Sequence, residues 1–161
     1  MSPSTLNPIR RILFPTDFSP SAKVAFRYAE QLAAAAGAQL LVLHVQQDLP
    51  TVGPVCDVDR KTKRQLQEVQ PRSSDIEVEH IVYSGSPGKA ICWIAQEHRC
   101  DQIVMGTHGR TGLINLLMGS VAEYVVRHAR CPVLTVPSRP RNEAPLSDPA
   151  IDYPMPLLHP L

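Results

Sequence analysis

A glycine-rich segment between two apolar runs is the part of this sequence most suited to chemistry. The stretch GTHGRTGLINLLMGS, residues 106–120, follows DQIVM, typical of a buried strand, and leads into VAEYVVRHAR, typical of a helix. Glycine lets backbone N–H groups approach an anion without a Cβ in the way, as Gly106, Gly109 and Gly119 could. The segment therefore indicates a phosphate site, with a set of turns in an irregular loop as the alternative.

The helix start at the end of this segment has two compatible interpretations. Ser120 with Glu123 three residues later has the spacing of a capping box, in which Ser120 is the N-cap and Glu123 lies at N3. The same helix start would offer the amides of Ser120 and Val121 to phosphate. Among nearby side chains, His108 is expected to be a loop residue and not a catalyst. Arg110 could reach phosphate, although a solvated side chain is the default.

A second group of polar residues follows the first apolar run of the chain. In RRILFPTDFS, Thr16 and Asp17 come directly after a short strand at about residues 12–15. An acid in this place often only caps a turn or the next helix. At the carboxyl edge of a parallel sheet, however, it could bind ribose hydroxyls or help to hold a divalent metal. Val45 ends another apolar run, and its backbone N–H and C=O could bind the edge of adenine.

Strands that alternate with helices would position these residues. Strands are predicted at about residues 12–15, 38–45, 76–82, 101–106 and 131–137, the third as a half-buried edge strand with alternating character. This order predicts an α/β fold, a single doubly wound five-stranded parallel sheet with helices on both faces. The loops after the first, second and fourth strands then meet at the carboxyl edge, where such sheets bind ligands.

The intervening segments predict four helices. The first begins with Ser19 as N-cap and Pro20 at the first helical position, and ends at Gly37. A weakly amphipathic helix is predicted over residues 57–70 after a proline-rich loop at residues 46–56. A third helix begins at Ser86-Pro87, and the fourth spans residues 120–130. The small-residue face of the first helix consists of Ala22, Ala25, Ala29, Leu32, Ala33 and Ala36.

Composition sets limits on the class of protein. Lys and Arg total 16 against 15 for Asp and Glu, so no strong field would recruit nucleic acid or an anionic membrane. No leader or membrane span is recognisable, which predicts a cytoplasmic protein. Cys56, Cys92, Cys100 and Cys131 lack metal-finger spacing and are expected to be reduced. We expect one domain over residues 1–137 and a proline-rich tail, disordered or extended, over residues 138–161.

Four motifs in this order resemble the universal stress protein family. They are Gly106-x2-Gly109-x9-Gly119-Ser120, PTDFS at residues 15–19, LHV at residues 43–45 and CPVLTVP at residues 131–137. The resemblance covers about residues 8–137. It implies a Rossmann-like fold of the adenine nucleotide alpha hydrolase kind, and membership of the ATP-binding branch of the family.

The resemblance also implies a ligand and a set of binding residues. The ligand would be ATP, or AMP or ADP in its place, with Mg²⁺ near Asp17 and Ser120. Asp17 would contact the nucleoside, Val45 would pair with adenine through its backbone, and Met105 would pack on the base. A homodimer through the strand at Val133–Val136 is also implied. The nucleotide-binding residues would be Pro15, Thr16, Asp17, Val45, Met105, Gly106, His108, Gly109, Arg110, Gly119, Ser120 and Val121.

Three functional hypotheses remain open at this point. The first is a stress-response regulatory protein in which bound ATP or AMP biases dimerisation or the binding of a protein partner. The second is a slow ATPase that uses the same site, although hydrolysis also needs a positioned water and no convincing base is evident. The third is a nucleotide-free dimeric scaffold, against which the intact glycines argue.

Overall fold

The structure, a computed structural model, describes residues 8–47, 52–108 and 118–137. The predicted tail after Pro137 lies outside these ranges. The described residues form six strands and four helices. In chain order these are β1 (Arg11–Pro15), α1 (Pro20–Ala36), β2 (Gln39–Gln46), β3 (Gly53–Pro54), α2 (Arg60–Gln67), β4 (Val78–Ser84), α3 (Pro87–Glu97), β5 (Gln102–Gly106), α4 (Ser120–His128) and β6 (Val133–Val136).

One sheet contains all six strands, in the order β3-β4-β2-β1-β5-β6. The five predicted strands are present and mutually parallel, which confirms the doubly wound α/β fold. The sixth, β3, was predicted as loop and pairs antiparallel with the end of β4. Its two residues pair through their backbones, and Gly53 adopts a φ of 147° that favours glycine, so no apolar pattern marks the strand. The sheet is therefore mixed at this edge.

Two apolar cores lie on opposite faces of the sheet. Leu40 of β2 packs with α1 and α2, whereas the next residue, Leu41, packs with α3 and α4, because successive side chains of a strand point to opposite faces. Alanines on α1 allow that helix to lie close to the strands, but Ala36, predicted on the same face, is exposed at the helix end. The buried alanines of α1 are Ala22, Ala25, Ala29 and Ala33.

The start and end of α1 agree with the sequence. The hydroxyl of Ser19 accepts a hydrogen bond from the backbone N–H of Ala22 at 3.2 Å, Pro20 is the first helical residue, and Gly37 ends the helix with a φ of 61°. Ser86 also occupies an N-cap, at α3, but its side chain makes no capping hydrogen bond. The start of α1 therefore has a side-chain capping bond that the start of α3 lacks. This bond fixes the chain directly after β1.

The predicted capping box at α4 is wrong. Gly119 is the N-cap and Ser120 is the first helical residue, so Glu123 lies one position beyond N3. The backbone N–H of Glu123 donates to the carbonyl of Gly119 at 2.9 Å, while its carboxylate pairs with Arg127 at 2.8 Å. The carboxylate therefore does not return to the helix start, and no side chain of the described residues caps α4.

The boundaries of α2 and β4 also differ from the sequence predictions, and α4 and β6 are each shorter than predicted. Helix α2 is shorter than residues 57–70, since the side chain of Asp59 caps it and the helix ends at Gln67. Strand β4 begins and ends two residues later than predicted and finishes with three consecutive buried residues. The alternation of buried and exposed residues fails at this end of β4 because β3 pairs along its outer edge. The ring of Trp93 also lies 5.3 Å from that of Tyr83 and helps to bury it. Strand β4 is thus an edge strand over only part of its length.

The four cysteines are free thiols in different surroundings, as expected for reduced residues. Cys56 is exposed, whereas burial beside Cys131 raises the pKa of the Cys100 thiol to about 12. Burial also raises the pKa of Cys92 and of Cys131. Because the thiolate is the reactive form, the cysteines should differ strongly in reactivity.

We expect a thiol reagent at pH 8 to modify Cys56 at least 1,000-fold faster than Cys100, by an order-of-magnitude argument from thiolate fraction and exposure. A thiol with a pKa of about 12 is ionised in only about one molecule in 10⁴ at that pH. Timed labelling followed by peptide mass spectrometry would measure both rates, with a Cys56→Ser chain as the control. Equal labelling rates at the two positions in the folded protein would contradict the burial of Cys100.

Candidate functional site

A cleft of about 780 Å³ opens at the carboxyl edge of the sheet, above β1, β2 and β5. Gly109 and Arg110, also predicted to bind the ligand, lie outside the described residues. The cleft brings together the ends of three strands and the start of α4, as predicted from the order of elements. The predicted site residues that line it are Pro15, Thr16, Asp17, Val45, Met105, Gly106, His108, Gly119, Ser120 and Val121.

Hydrogen bonds hold the turn after β1 against β2. The backbone N–H of Thr16 donates to the carbonyl of Leu43 at 2.8 Å, and the carbonyl of Thr16 lies 2.9 Å from Nδ1 of His44. Since a carbonyl only accepts, Nδ1 of His44 carries the proton in this contact. The ring of Phe18 lies 4.5 Å from that of His44 and covers it. These contacts hold the residues at the floor of the cleft in place.

Asp17 projects from the same turn. Its Oδ1 accepts the backbone N–H of Ser19 at 3.0 Å, and the hydroxyl of Thr16 accepts the N–H of Phe18 at 3.0 Å. Phe18 adopts a φ of 64°, which is uncommon for a large side chain and makes the turn sharp. Asp17 therefore has the turn-capping role considered from the sequence, and it also lies on the wall of the cleft.

Thr107 lies near the start of the glycine-rich segment and forms a hydrogen bond with a residue near its end. The carbonyl of Thr107 accepts the backbone N–H of Gly119 at 2.7 Å, and the N–H of Thr107 donates to Val136 of β6 at 3.0 Å. The Thr107 hydroxyl also shares a 2.8 Å hydrogen bond with Nδ1 of His108. The start of α4 is thereby fixed next to the end of β5. His108 lies at the cleft as a loop residue, in line with the sequence interpretation.

The N-terminus of α4 opens into the cleft. Helix geometry leaves the first N–H groups without partners inside the helix, and Ser120, Val121 and Ala122 of this first turn line the cleft. The helix dipole adds a partial positive charge there. A helix start that no described side chain caps is suited to an anion such as phosphate.

The opposite wall of the cleft is polar and was missed in the sequence. Gln46 at the end of β2 donates through Nε2 to Oδ2 of Asp59 at 3.3 Å and to the hydroxyl of Thr62 at 3.5 Å. Lys61 and Gln65 of α2 line the same wall. One signal was available, since an aspartate directly before a polar helical run is a typical N-cap. That signal would have placed Asp59 at the helix start and this end of α2 near the strand ends.

Asp59 is held as a carboxylate. Hydrogen bonds from the hydroxyl and the backbone N–H of Thr62 keep the pKa of Asp59 below its usual value. Its Oδ1 accepts the backbone N–H groups of Lys61 and Thr62, each at 3.0 Å. Both oxygens of this side chain are therefore engaged, one with the helix and one with Gln46.

Contact between α3 and α4 sets the position of the anion end. A Cβ on Gly88, in the first turn of α3, would lie 2.6 Å from Cδ1 and 3.1 Å from Cβ of Tyr124 in α4. We expect Gly88→Ala to lower the free energy of unfolding by about 1–2 kcal/mol. Intrinsic helix propensity alone would make alanine more stable than glycine here by about 1 kcal/mol. A lower free energy of unfolding would therefore come from the contact with Tyr124.

Urea unfolding of Gly88→Ala against the wild type would measure this effect. Lys89→Ala, at the exposed neighbouring position, should change stability by less than about 0.5 kcal/mol. Higher stability of Gly88→Ala than of the wild type would mean that Tyr124 moves aside without cost.

Two kinds of feature are absent from the part of the chain that the structure describes. In these residues, no group of three or more His, Cys, Asp or Glu side chains could hold a metal ion. No helix of the described ranges is both long and apolar enough to cross a membrane.

Comparison with known proteins identifies relatives over most of the chain. The sequence model of the Universal stress protein family matches residues 8–137. Universal stress protein MJ0531 of Methanocaldococcus jannaschii is 30% identical over 148 residues, covering 85% of this chain and 86% of that protein. The solved structure of MJ0577 from the same organism has a TM-score of 0.70 at 27% identity, covering 83% of this chain and 99% of that chain.

Two further similar structures contain nucleotides. A universal stress protein in complex with cAMP has a TM-score of 0.66 at 25% identity, covering 82% of this chain and 99% of that one. A universal stress protein family protein from Arabidopsis thaliana with AMP bound has a TM-score of 0.54 at 25% identity, covering 88% and 99% of the two chains.

Proposed function

Because this chain belongs to the universal stress protein family, we propose that the domain over residues 1–137 binds an adenine nucleotide, ATP or AMP, in its carboxyl-edge cleft. The observation that carries the proposal is the uncapped start of α4, which faces the same cleft as Asp17 and Val45. An anion site at one end and backbone groups at the other end suit a molecule with phosphates and a base. The relatives with cAMP and AMP bound support adenine as that base.

Phosphate would bind at the start of α4. The amides of Ser120 and Val121 would donate to phosphate oxygens, and the helix dipole would stabilise their charge. The hydrogen bond between Gly119 and Thr107 holds this helix start beside Gly106. We propose that Gly109 and Arg110 complete the phosphate end of the site.

The nucleoside would bind across the ends of β1 and β2. Adjacent strands lie about 4.8 Å apart, so the two-strand distance from β5 to β2 is about 10 Å, which suits a ribose and a base side by side. The Asp17 carboxylate would accept from a ribose hydroxyl, while the Val45 backbone would bind the edge of adenine. Met105, buried beneath the cleft, would pack on the base together with Pro15.

Mg²⁺ fits this site as a companion of the phosphates. This ion usually keeps several waters and takes one or two carboxylates plus phosphate oxygens. Asp17 supplies one carboxylate at the cleft and Ser120 one hydroxyl, which together are too few ligands without the nucleotide. We therefore expect Mg²⁺ to bind with ATP and to neutralise part of its charge, and to bind weakly alone.

The proposed role of the nucleotide is regulatory. Among the described residues β6 is the last strand at one edge of the sheet, and its Val133–Val136 backbone would pair with a second copy of the chain. Thr107 links the two functions, since it bonds Val136 through its N–H and Gly119 through its carbonyl. A nucleotide bound at the start of α4 would act on the dimer edge through Thr107, provided that it binds more tightly to one of the two assembly states.

Calorimetric titration of the purified chain with ATP, ADP, AMP and cAMP, each with and without Mg²⁺, tests the proposal. We expect dissociation constants in the micromolar range for at least one of these nucleotides, which corresponds to about −8 kcal/mol. Sedimentation with and without the bound nucleotide would test its effect on the dimer. Absence of binding by all four at millimolar concentration would overturn the proposal and leave the scaffold hypothesis.

A further inference from the structure

A fixed amide lies at the base end of the cleft. Gln46 follows Val45 at the end of β2 and lines the cleft with a partly exposed side chain. Building on the proposed function, we infer that Gln46, oriented by Asp59 and Thr62, selects purines that carry an amino group at position 6. Adenine carries such a group, whereas hypoxanthine and guanine carry a carbonyl oxygen there.

The orientation of the Gln46 amide follows from the chemistry of its partners. Oδ2 of Asp59 lies 3.3 Å from the Gln46 side chain and, as a carboxylate oxygen, can only accept a hydrogen bond. The Gln46 group facing it must therefore be the NH₂ group. The same NH₂ group lies 3.5 Å from the Thr62 hydroxyl, whose own proton is donated to Asp59. A flipped amide would turn its carbonyl oxygen towards the Asp59 carboxylate, so the bond to Asp59 sets the orientation of Gln46.

The remaining group of the amide is its carbonyl oxygen. With both protons of Nε2 directed at Asp59 and Thr62, Oε1 is the atom that Gln46 can offer to a ligand. An acceptor attracts the 6-amino group of adenine and repels the 6-oxygen of hypoxanthine or guanine. The wrong base would set two acceptors against each other, which lowers its affinity.

The position of Gln46 relative to the phosphate end supports this assignment. The start of α4 lies beside β5, whereas Gln46 lies on β2, on the other side of β1. A nucleotide with its phosphates at α4 therefore directs its base towards β2 and α2. The backbone of Val45 and the side chain of Gln46 are adjacent there and can bind one edge of the base together.

Asp59→Asn tests the inference with a change of one atom. Asparagine is as good an N-cap as aspartate, so its Oδ1 keeps the bonds to Lys61 and Thr62 and its NH₂ group turns towards Gln46. The Gln46 amide must then flip, because two NH₂ groups cannot bond to each other. The NH₂ group of Gln46 then faces the ligand, and as a donor it suits the 6-oxygen of hypoxanthine or guanine.

We expect the wild type to bind AMP about tenfold or more tightly than IMP, which differs from AMP only in this part of the base. Asp59→Asn should lower that preference about threefold or more while its melting curve stays unchanged. Gln46→Met, with similar length and no acceptor oxygen, should weaken AMP and lower the ratio of AMP to IMP affinity, leaving only the preference that the Val45 backbone supplies. Calorimetric titration of the three chains with AMP and IMP supplies every comparison.

The outcomes separate this inference from the proposed function. If the wild type binds neither AMP nor IMP, the cleft is not a nucleotide site and both ideas fail. If it binds AMP and IMP equally, or if Asp59→Asn keeps the wild-type preference, the nucleotide site stands and the role of Gln46 is overturned. A preference that changes in Asp59→Asn supports the inference, since a merely structural role of Asp59 would weaken both ligands alike.

Discussion

Replacement of Ser120 with glutamate is expected to weaken ATP binding about 100-fold or more without loss of stability. Ser120 is the first residue of α4, is exposed, and lines the proposed phosphate end of the cleft. Two like charges about 4 Å apart repel by about 4 kcal/mol at the effective dielectric constant of a protein surface. A carboxylate in the first turn of a helix is itself favourable by about 0.3–1 kcal/mol, so the fold should not suffer.

Ser120→Gln is the matched control for this experiment. Glutamine has the size of glutamate without its charge, so it should retain most of the ATP affinity of the wild type. The loss in Ser120→Glu should also decrease with ligand charge, from ATP through AMP to uncharged adenosine. Calorimetric titration would provide these affinities, and thermal melts would verify the fold. Equal losses in the two variants would mean that the phosphates bind elsewhere.

Five of the six strands follow from local properties of the sequence. Four of them are short apolar runs and β4 is an alternating segment, and the succession of such strands with helical segments predicts the parallel sheet. Strand β3 could not be predicted in this way, because Gly53 and Pro54 pair through their backbones and carry no apolar pattern. The prediction of Ser120 as the α4 N-cap was wrong because Gly119 is also a common N-cap residue, and its hydrogen bond to the Thr107 carbonyl is a tertiary contact that local sequence does not reveal.

The candidate site was predictable where strand ends carry unusual residues. The turn at Thr16 and Asp17 and the start of α4 reach one cleft because parallel strands share a carboxyl edge. The α2 wall was missed because its cleft residues belong to a polar helix, whose pattern resembles a solvated surface. The contact of Gln46 with Asp59 depends on how α2 returns over β2, which is a tertiary property.

Gly106→Ala is expected to lower the free energy of unfolding by about 2–3 kcal/mol, a large loss for one methyl group. A Cβ at this position would lie 2.6 Å from Oγ of Ser21 and 3.3 Å from the Ser21 backbone, where α1 packs against β5. Ser21 is buried, and the backbone of α1 cannot move without disturbing the alanine contacts beneath it. Urea unfolding at equilibrium would measure the loss.

Ser21→Ala is expected to recover part of that loss. The Ser21 hydroxyl is buried without a hydrogen-bond partner among the described residues, so its removal alone should be neutral or stabilising. In the double variant the nearest clash disappears while the backbone contact stays, which predicts a coupling energy of about 1 kcal/mol or more. Ser84→Ala, which removes a similarly buried hydroxyl on β4, should give no such recovery. Additive effects of Gly106→Ala and Ser21→Ala would show that the helix, and not the hydroxyl, limits the approach of α1 to the strand that carries the site.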